Sequence, residues 1–390
     1  MPDRTPPEMA EATRLTGLGK LLEATARIQR MLWGVGAKDA GTSATTIDAE
    51  RTVANSEPQL QGETPEPQPK SPHTFRPHAS LRETVTRVVA MAKEFGVDGR
   101  PRLAPEPIPE GASFTTAAFA NAAGTRAYKL YVPANRAEKR PALIVMLHGC
   151  TQTPDDFAAG TRMNWLAEEH GFLVAYPQQD GRANVRQCWN WFRPQDQRRG
   201  EGEPSLIAGI TEEIVRQHGV DPKRVYIAGL SAGGAAAAIM GDAYPDLYAG
   251  VCVHSGLPSA AARDLASGFD AMRLGAKVGA RSGKLVPTII FHGERDLIVN
   301  PVNADAVAAI ALGTTTGLRQ ETERGQSVDG RAYVRATYTD SKGRTVCENW
   351  RIREGGHAWS GGCPSGSHTD PRGPDASREM IRFFFQHRRG

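Results

Sequence analysis

Ser231 is the residue whose surroundings point most directly to chemistry. It lies in the one G-x-S-x-G sequence of the chain, Gly229-Leu-Ser-Ala-Gly233, which follows a β-rich segment and precedes an alanine-rich one. When a strand turns directly into a helix, the serine hydroxyl stands at the apex of the turn, and glycines on either side avoid collisions with neighbouring backbone. The first N–H groups of the helix also favour negative charge at that point. The pattern therefore predicts Ser231 as a nucleophile.

Two other interpretations of this glycine-rich turn remain. It can simply close a sheet, or it can bind a phosphate at the helix N-terminus. The phosphate interpretation is the weaker one, because the lysine of the G-x-x-x-x-G-K-S/T loop is missing here.

A carboxylate follows Ser231 in the chain, at the end of an apolar segment over residues 286–292. Open α/β sheets place their chemistry at such strand ends, and two acidic residues, Glu294 and Asp296, compete for the role. Asp296 is the stronger candidate, because it lies three residues past Gly293 and its loop can turn back toward the site. Glu294 fits a salt bridge or a loop-shaping role better.

His357 is the candidate general base. It lies in the glycine-rich segment Gly355-Gly-His-Ala-Trp-Ser-Gly-Gly362, whose backbone is free to bend over the sheet. A neutral imidazole can accept the Ser231 proton and return it to a leaving group, and the order Ser, acid, His suits this architecture. Other histidines fit loop, surface or core positions better: His148, His170, His218, His254 and His292.

Two backbone N–H groups are needed to hold the negative oxygen that develops during attack on a carbonyl. One is expected from Ala232, the residue after the nucleophile. The other is expected from Cys150, because Gly149 lets the backbone turn after the strand over 142–147 so that the Cys150 amide points inward. The alternative is a tight turn with no donor role.

Tryptophans near these loops are candidate substrate contacts. Trp189 and Trp191 lie in Cys188-Trp-Asn-Trp-Phe192, and Trp359 follows the base by two residues. Such aromatic side chains can line an acyl groove, but packing within the core or the loop is an equally good interpretation.

The scaffold that must position these residues begins near residue 111, where apolar runs alternate with helical patterns. Strands are predicted over 142–147, 172–176, 224–228, 250–254 and 286–292, and helices over 154–170, 205–218, 232–243, 302–312 and 376–387. An antiparallel pair over 113–119 and 126–132 and two late strands over 332–338 and 345–352 complete the set. This alternation predicts an α/β domain with a mostly parallel sheet, an antiparallel N-terminal edge and helices on both faces.

Four regions are predicted along the chain. Residues 1–36 form an amphipathic helical segment, 37–79 a proline-rich flexible linker, 80–110 a helix with a connecting segment, and 111–390 the catalytic domain. The apolar faces of the N-terminal helices are expected to pack on the main domain or on a second subunit. The more specific alternative is that these faces contact a hydrophobic surface such as a polymer granule.

Composition excludes several classes of protein. The chain has 390 residues, is 39% hydrophobic and carries a net charge of +4, which is too mild for a nucleic-acid partner. No run approaches the roughly 18 apolar residues of a membrane span, and the N-terminus has no secretory signal pattern. A cytoplasmic location is therefore expected, with an extracellular one as the alternative.

Five cysteines leave the redox question open. None has C-x-x-C spacing, which argues against zinc and redox sites. Cys150 and Cys188 lie on loops that can meet, Cys347 and Cys363 bracket the His357 loop, and Cys252 lies inside a strand. Disulfides would suit an exported protein, whereas the missing signal favours reduced thiols, which is the expectation adopted here.

Five motifs in order resemble the polyhydroxybutyrate depolymerase family of esterases, α/β-hydrolases related to feruloyl and acetylxylan esterases. They are Leu147-His-Gly-Cys150, Cys188-Trp-Asn-Trp-Phe192, Gly229-Leu-Ser-Ala-Gly-Gly234, His292-Gly-Glu-Arg-Asp296 and Gly356-His-Ala-Trp359. The resemblance implies an α/β-hydrolase fold and ester hydrolysis through an acyl-enzyme, without metal or cofactor. Its roles fall on Ser231, Asp296 and His357, with backbone donors at Cys150 and Ala232.

The resemblance leaves the substrate open. Secreted polymer depolymerases of the family usually carry a signal peptide and a C-terminal substrate-binding domain, whereas this sequence ends just after its closing helix. Hydroxybutyrate oligomers or small acyl esters are therefore expected in preference to crystalline polymer. The alternatives are a feruloyl- or acetylxylan-type carbohydrate esterase and a non-catalytic granule-associated protein.

Overall fold

A computed structural model describes residues 107–135, 139–277, 285–328 and 330–390 of the protein. The regions predicted over 1–36 and 37–79, and most of the one over 80–110, lie outside these described residues. None of the helices within the described ranges is long and apolar enough to span a membrane.

A ten-stranded sheet forms the centre of the described domain. Its strands are β1 (Ser113–Asn121), β2 (Gly124–Val132), β3 (Leu143–Leu147), β4 (Leu173–Pro177), β5 (Val225–Leu230), β6 (Gly250–His254), β7 (Thr288–Gly293), β8 (Arg319–Gln326), β9 (Ala332–Thr339) and β10 (Thr345–Ile352). They lie in the order β1-β2-β4-β3-β5-β6-β7-β10-β9-β8. The six strands from β4 to β10 in this order are parallel to one another, and the pairs at both edges are antiparallel.

Helices connect the parallel strands. They are α1 (Pro154–Thr161), α2 (Met163–His170), α3 (Gly202–His218), α4 (Ala232–Ala243), α5 (Leu265–Leu274), α6 (Val302–Leu312) and α7 (Ala376–Phe385). A 3₁₀ helix (Pro194–Gln197) and a small parallel sheet of β11 (Trp359–Ser360) and β12 (Thr369–Asp370) lie in the loops. The strands β3 to β7 are buried along their whole length, which explains why their sequences are apolar runs without alternation.

The predicted scaffold is confirmed in its main elements, and three local predictions are wrong. The single helix predicted over 154–170 is two helices, because Arg162 between them has a left-handed backbone (φ 53°). No helix is predicted between the strands over 250–254 and 286–292, where α5 lies. Strand β8 was missed because its sequence, RQETERGQ, has no apolar residue and pairs only at the exposed edge.

The topology gathers the loops that follow four strands. β3, β5, β7 and β10 are parallel members of one sheet, so their carboxyl ends lie at one edge. Cys150 follows β3, Ser231 follows β5, Asp296 follows β7 and His357 follows β10. The fold therefore brings four distant segments of the chain to the place where open α/β sheets carry their sites.

Candidate active site

The turn between β5 and α4 holds Ser231 in a strained conformation. Its φ of 57° and ψ of −119° are unusual for a residue with a side chain, and its N–H donates to the His254 carbonyl oxygen at 2.9 Å. The two motif glycines permit this geometry. A Cβ on Gly229 would lie 2.2 Å from the Gly233 oxygen, and one on Gly233 would lie 2.0 Å from the Leu147 oxygen. The strain and the close packing are those of a nucleophile elbow.

Ala232 is the first residue of α4. The first N–H groups of a helix have no partner within the helix, so they are available to a negative group placed before them. The Ala232 N–H therefore remains the candidate for one oxyanion donor beside Ser231.

Asp296 is a buried carboxylate whose two oxygens have separate tasks. Oδ1 accepts the N–H groups of Ile298 (2.9 Å) and Val299 (2.8 Å), which orients the group within its loop. Oδ2 faces His357 Nδ1 at 2.7 Å and His292 Nε2 at 3.3 Å. Burial raises the pKa of Asp296, but the charge of His357 and hydrogen bonds from His292 and His357 outweigh it and hold the pKa well below its usual range. Asp296 is therefore ionised at neutral pH.

His357 has the orientation that a general base requires. Because Oδ2 of the ionised Asp296 accepts, the neutral form of the His357 ring carries its proton on Nδ1, and its Nε2 can then accept one. The structure thus brings Asp296 and His357 into direct contact. Among the described residues, Ser231 Oγ makes no hydrogen bond, to His357 or to any other group; such catalytic hydrogen bonds often tighten only with substrate bound.

The backbone just after His357 is anchored by two hydrogen bonds. The Trp359 N–H donates to the His368 carbonyl oxygen (2.7 Å), within the β11–β12 pair. The Ser360 N–H donates to Nε2 of His254 (2.9 Å). These bonds limit the positions that the imidazole can reach.

Hydrogen bonds around the loop after β3 fix the direction of the Cys150 N–H. Nδ1 of His148 donates to the Gly149 carbonyl (2.7 Å), Nε2 accepts from the Gln179 N–H (3.1 Å), and Gln152 Oε1 accepts the Gly149 N–H (2.9 Å). The Gly149 carbonyl and the Cys150 N–H belong to one planar peptide group and point in opposite directions. Fixing the carbonyl therefore also fixes the direction of the Cys150 N–H. Burial lowers the pKa of His148 to about 4, so the ring stays neutral and keeps this pattern.

A disulfide joins this loop to the tryptophan-containing segment. Cys150 is bonded to Cys188, and Cys252, Cys347 and Cys363 are free thiols. The expectation of reduced thiols is therefore wrong for the first pair. The second suggested pair, Cys347 with Cys363, does not form.

The three tryptophans proposed as substrate contacts lie inside the protein. Trp189 is 0% exposed and its Nε1 donates to the His148 carbonyl (3.0 Å). Trp359 is 1% exposed and its Nε1 donates to Ser377 Oγ (3.0 Å). Trp191 is also buried, with its ring edge-on to Phe192. Their surroundings indicate that these tryptophans support the loop after β3 and the His357 loop, because no face of their rings is open to a substrate.

A buried polar network supports the same segment, and sequence reasoning missed it. Glu203 accepts hydrogen bonds from Gln179 Nε2, the Asn190 N–H (2.8 Å) and Asn190 Nδ2 (2.7 Å), and it lies 3.8 Å from Arg126. Burial, and then the charge of Asp196, raise the pKa of Glu203. No local spacing marks these residues, since they come from separate elements.

Apolar side chains are exposed around the site. Leu297, directly after Asp296, is 80% exposed, and Val185 is exposed one residue before Arg186, whose carbonyl accepts the Thr151 N–H (2.7 Å). Exposed apolar side chains such as these can contact an acyl chain.

Comparison with known proteins identifies similar sequences. A family model described as "Esterase PHB depolymerase" matches residues 126–329. Poly(3-hydroxyalkanoate) depolymerase C of Paucimonas lemoignei is 34% identical over 242 residues, which cover 58% of this chain and 57% of that protein. Feruloyl esterase B of Neurospora crassa is 35% identical over 131 residues, which cover 33% of this chain and 44% of that protein. Poly(3-hydroxybutyrate) depolymerase of Ralstonia pickettii is 28% identical, and 48% of it is covered. The chain thus spans about half the length of the curated relatives it matches.

One solved structure shares the architecture. The acetyl xylan esterase from Aspergillus awamori matches with a TM-score of 0.56 at 19% identity, over 70% of this chain and 99% of that one. The described domain accordingly has the α/β-hydrolase fold.

Proposed function

Because this chain belongs to the PHB depolymerase family of esterases, we propose that it hydrolyses carboxylic esters through an acyl-enzyme formed on Ser231. The observation that carries the proposal is the 2.7 Å contact between Asp296 and His357, at the sheet edge that also holds the strained Ser231 turn. A buried, ionised carboxylate that orients an imidazole beside a nucleophile elbow is the arrangement that activates a serine.

The acylation step assigns a task to each group. His357 Nε2 takes the Ser231 proton while Oγ attacks the ester carbonyl carbon. The carbonyl oxygen, now negative, accepts hydrogen bonds from the N–H groups of Cys150 and Ala232. The His357 imidazolium, stabilised by Asp296, then protonates the alkoxide oxygen as it leaves, and the alcohol departs.

Deacylation repeats the same proton transfers with water. His357 removes a proton from water as its oxygen attacks the acyl carbon, and the oxyanion rests on the same two amides. Collapse of the tetrahedral intermediate releases the carboxylic acid, and the proton returns from His357 to Ser231 Oγ. Asp296 remains ionised throughout, which agrees with its lowered pKa.

The substrate class we propose is 3-hydroxybutyrate-type oligomers or small acyl esters. The similarity to a poly(3-hydroxyalkanoate) depolymerase and the exposed apolar side chain of Leu297 support it. A carbohydrate esterase is the second candidate, supported by the 35% identity to feruloyl esterase B over 131 residues.

The nucleophile is tested with p-nitrophenyl butyrate and a fluorophosphonate probe. Ser231→Ala is expected to remove both the hydrolysis and the labelling, because Ser231 is the serine that we propose His357 activates. Ser259→Ala is the matched control, since Ser259 is also buried and its Oγ has no hydrogen-bond partner in the described part of the chain. Labelling that persists unchanged in Ser231→Ala overturns the assignment.

The substrate class is tested by kcat/KM on 3-hydroxybutyrate oligomers, methyl ferulate and acetylated xylan. We expect the highest kcat/KM on the 3-hydroxybutyrate oligomers. A higher value on methyl ferulate or on acetylated xylan selects the carbohydrate-esterase candidate instead.

A further inference from the structure

His254 lies at the carboxyl end of β6, the strand between the one that precedes Ser231 and the one that precedes Asp296. Its side chain is completely buried. The ring stacks against Trp359 with centroids 4.9 Å apart and against Phe291 at 5.6 Å. The proposed reaction gives this imidazole no proton to transfer, yet it bonds the backbone of Ser231 and of Ser360, and it interacts electrostatically with His357 and Asp296.

Two hydrogen bonds connect His254 to both sides of the site. Its carbonyl oxygen accepts the N–H of Ser231 (2.9 Å), and its ring Nε2 accepts the N–H of Ser360 (2.9 Å). Ser360 follows His357 by three residues. One residue therefore holds the backbone of the nucleophile with its own backbone and the backbone of the base loop with its side chain.

The tautomer of His254 follows from these partners. Since the Ser360 N–H donates, Nε2 carries no proton, and Nδ1 donates to Ser255 Oγ at 3.2 Å. Both ring nitrogens are thus occupied, so the ring cannot act as a base. Burial first, then the nearby His292 and His357, lower the pKa of His254 well below its ordinary value, while Asp296 acts in the opposite direction. The ring stays neutral, as its acceptor role requires.

We propose that His254 is a positioning residue that sets the separation between the Ser231 hydroxyl and the His357 imidazole. The inference rests on the proposed function. Displacing a reacting group by about 1 Å can lower a rate about a hundredfold, so a single link between the two loops has a large effect on the chemical step. Substrate binding, which involves other surfaces, changes little.

Three variants distinguish the role of His254 as a hydrogen-bond acceptor from the role of its aromatic ring. His254→Phe retains an aromatic ring but offers no acceptor to Ser360. His254→Gln has an amide oxygen that can reach the place of Nε2, and His254→Asn has the same amide but is too short to reach it. All three retain the backbone carbonyl that receives the Ser231 N–H.

The experiment measures kcat and KM on p-nitrophenyl butyrate, together with thermal unfolding. We expect kcat to fall about a hundredfold in His254→Phe and His254→Asn, with KM within threefold of the wild type, and to recover at least tenfold in His254→Gln. His387→Phe is the matched control, because it replaces another imidazole that packs on a phenylalanine ring (4.5 Å from Phe383), at the chain end after α7, and it should leave kcat unchanged.

The outcomes distinguish the two proposals. If the wild type neither hydrolyses the ester nor reacts with the fluorophosphonate, the proposed function fails. If the wild type is active and His254→Gln and His254→Asn have equal kcat, the positioning role is wrong, and this comparison of two similar amides holds even where His254→Phe does not fold. A change confined to KM also overturns it.

Discussion

At the scale of single residues, the site depends on the donors that surround the carboxylate of Asp296. Each Asp296 oxygen has its own donors: two backbone N–H groups on Oδ1, and the imidazoles of His357 and His292 on Oδ2. His292 Nε2 also donates to the Val299 carbonyl (2.9 Å), so its proton position is determined as well. Because both oxygens of Asp296 face donors, changing one of them alters the protonation of its neighbour.

Asp296→Asn tests this at the acid. The Asn oxygen can still accept the N–H groups of Ile298 and Val299, which leaves the Asn NH₂ group facing His357 Nδ1. His357 must then carry its proton on Nε2, where it cannot accept one from serine. We expect kcat on p-nitrophenyl butyrate to fall about 10⁴-fold with the fold retained, the size of the effect for the same change in a serine protease triad.

Glu294→Gln is the matched control for the acid. Glu294 was the competing candidate, and its carboxylate is partly exposed and 3.6 Å from Arg353. We expect kcat within twofold of the wild type, since an exposed ion pair contributes little. A larger loss in Glu294→Gln than in Asp296→Asn would reverse the assignment of the acid.

At the scale of elements, backbone packs directly on backbone where β5 turns into α4. Gly233 touches the carbonyls of Leu147 and His148 at the end of β3, and Gly229 touches the first turn of α4. The first turn of α4 therefore packs closely on the end of β3. Their separation depends on the absence of a side chain at Gly233.

Gly233→Ala is expected to push these elements apart. Its Cβ would lie 2.0 Å from the Leu147 oxygen and 2.5 Å from the His148 oxygen, and backbone cannot yield as a flexible side chain does. We expect the free energy of unfolding to fall by about 1–3 kcal/mol, as for an overpacked core, and kcat to fall with it. Chemical denaturation and ester hydrolysis measure the two effects.

Gly181→Ala is the control for this substitution. No heavy atom of the described residues lies within 4 Å of a Cβ placed there. The change in the free energy of unfolding should stay within about 0.5 kcal/mol. Equal effects at the two glycines would show that the contact with β3 is unimportant.

At the scale of the whole molecule, one disulfide bond closes a loop of the chain that contains several elements of the domain. The disulfide between Cys150 and Cys188 spans 38 residues, which include α1, α2 and β4. It joins Cys150, whose N–H is the proposed oxyanion donor, to the segment supported by Glu203. Stability and activity are therefore linked through this bond.

Reduction of the disulfide is expected to lower both quantities. A cross-link of this kind contributes about 2–4 kcal/mol, mainly by restricting the unfolded chain. We expect a lower Tm and a lower kcat in dithiothreitol, and the same changes in Cys188→Ser without reductant. Cys363→Ser, at a thiol outside this bond, should change neither. An unchanged Tm after thiol titration has confirmed reduction would contradict the prediction.

Sequence by itself determined what depends on neighbouring residues. The Ser231 elbow follows from glycines two positions away, whose lack of a Cβ permits the turn, and the buried strands follow from short apolar runs. The order of Ser231, Asp296 and His357 at strand ends also predicts these three residues as the site of the proposed chemistry. These signals are local, so they can be found without coordinates.

Tertiary structure alone decided which distant groups meet. It paired Cys150 with Cys188 rather than leaving them reduced, buried Trp189 and Trp359, and placed His254 between the nucleophile and base loops. Strand β8 also went unpredicted, since its exposed sequence has no apolar residue. The physical reason is that such contacts depend on the order of strands in the sheet. That order is set by packing over the whole domain rather than by the types of adjacent residues.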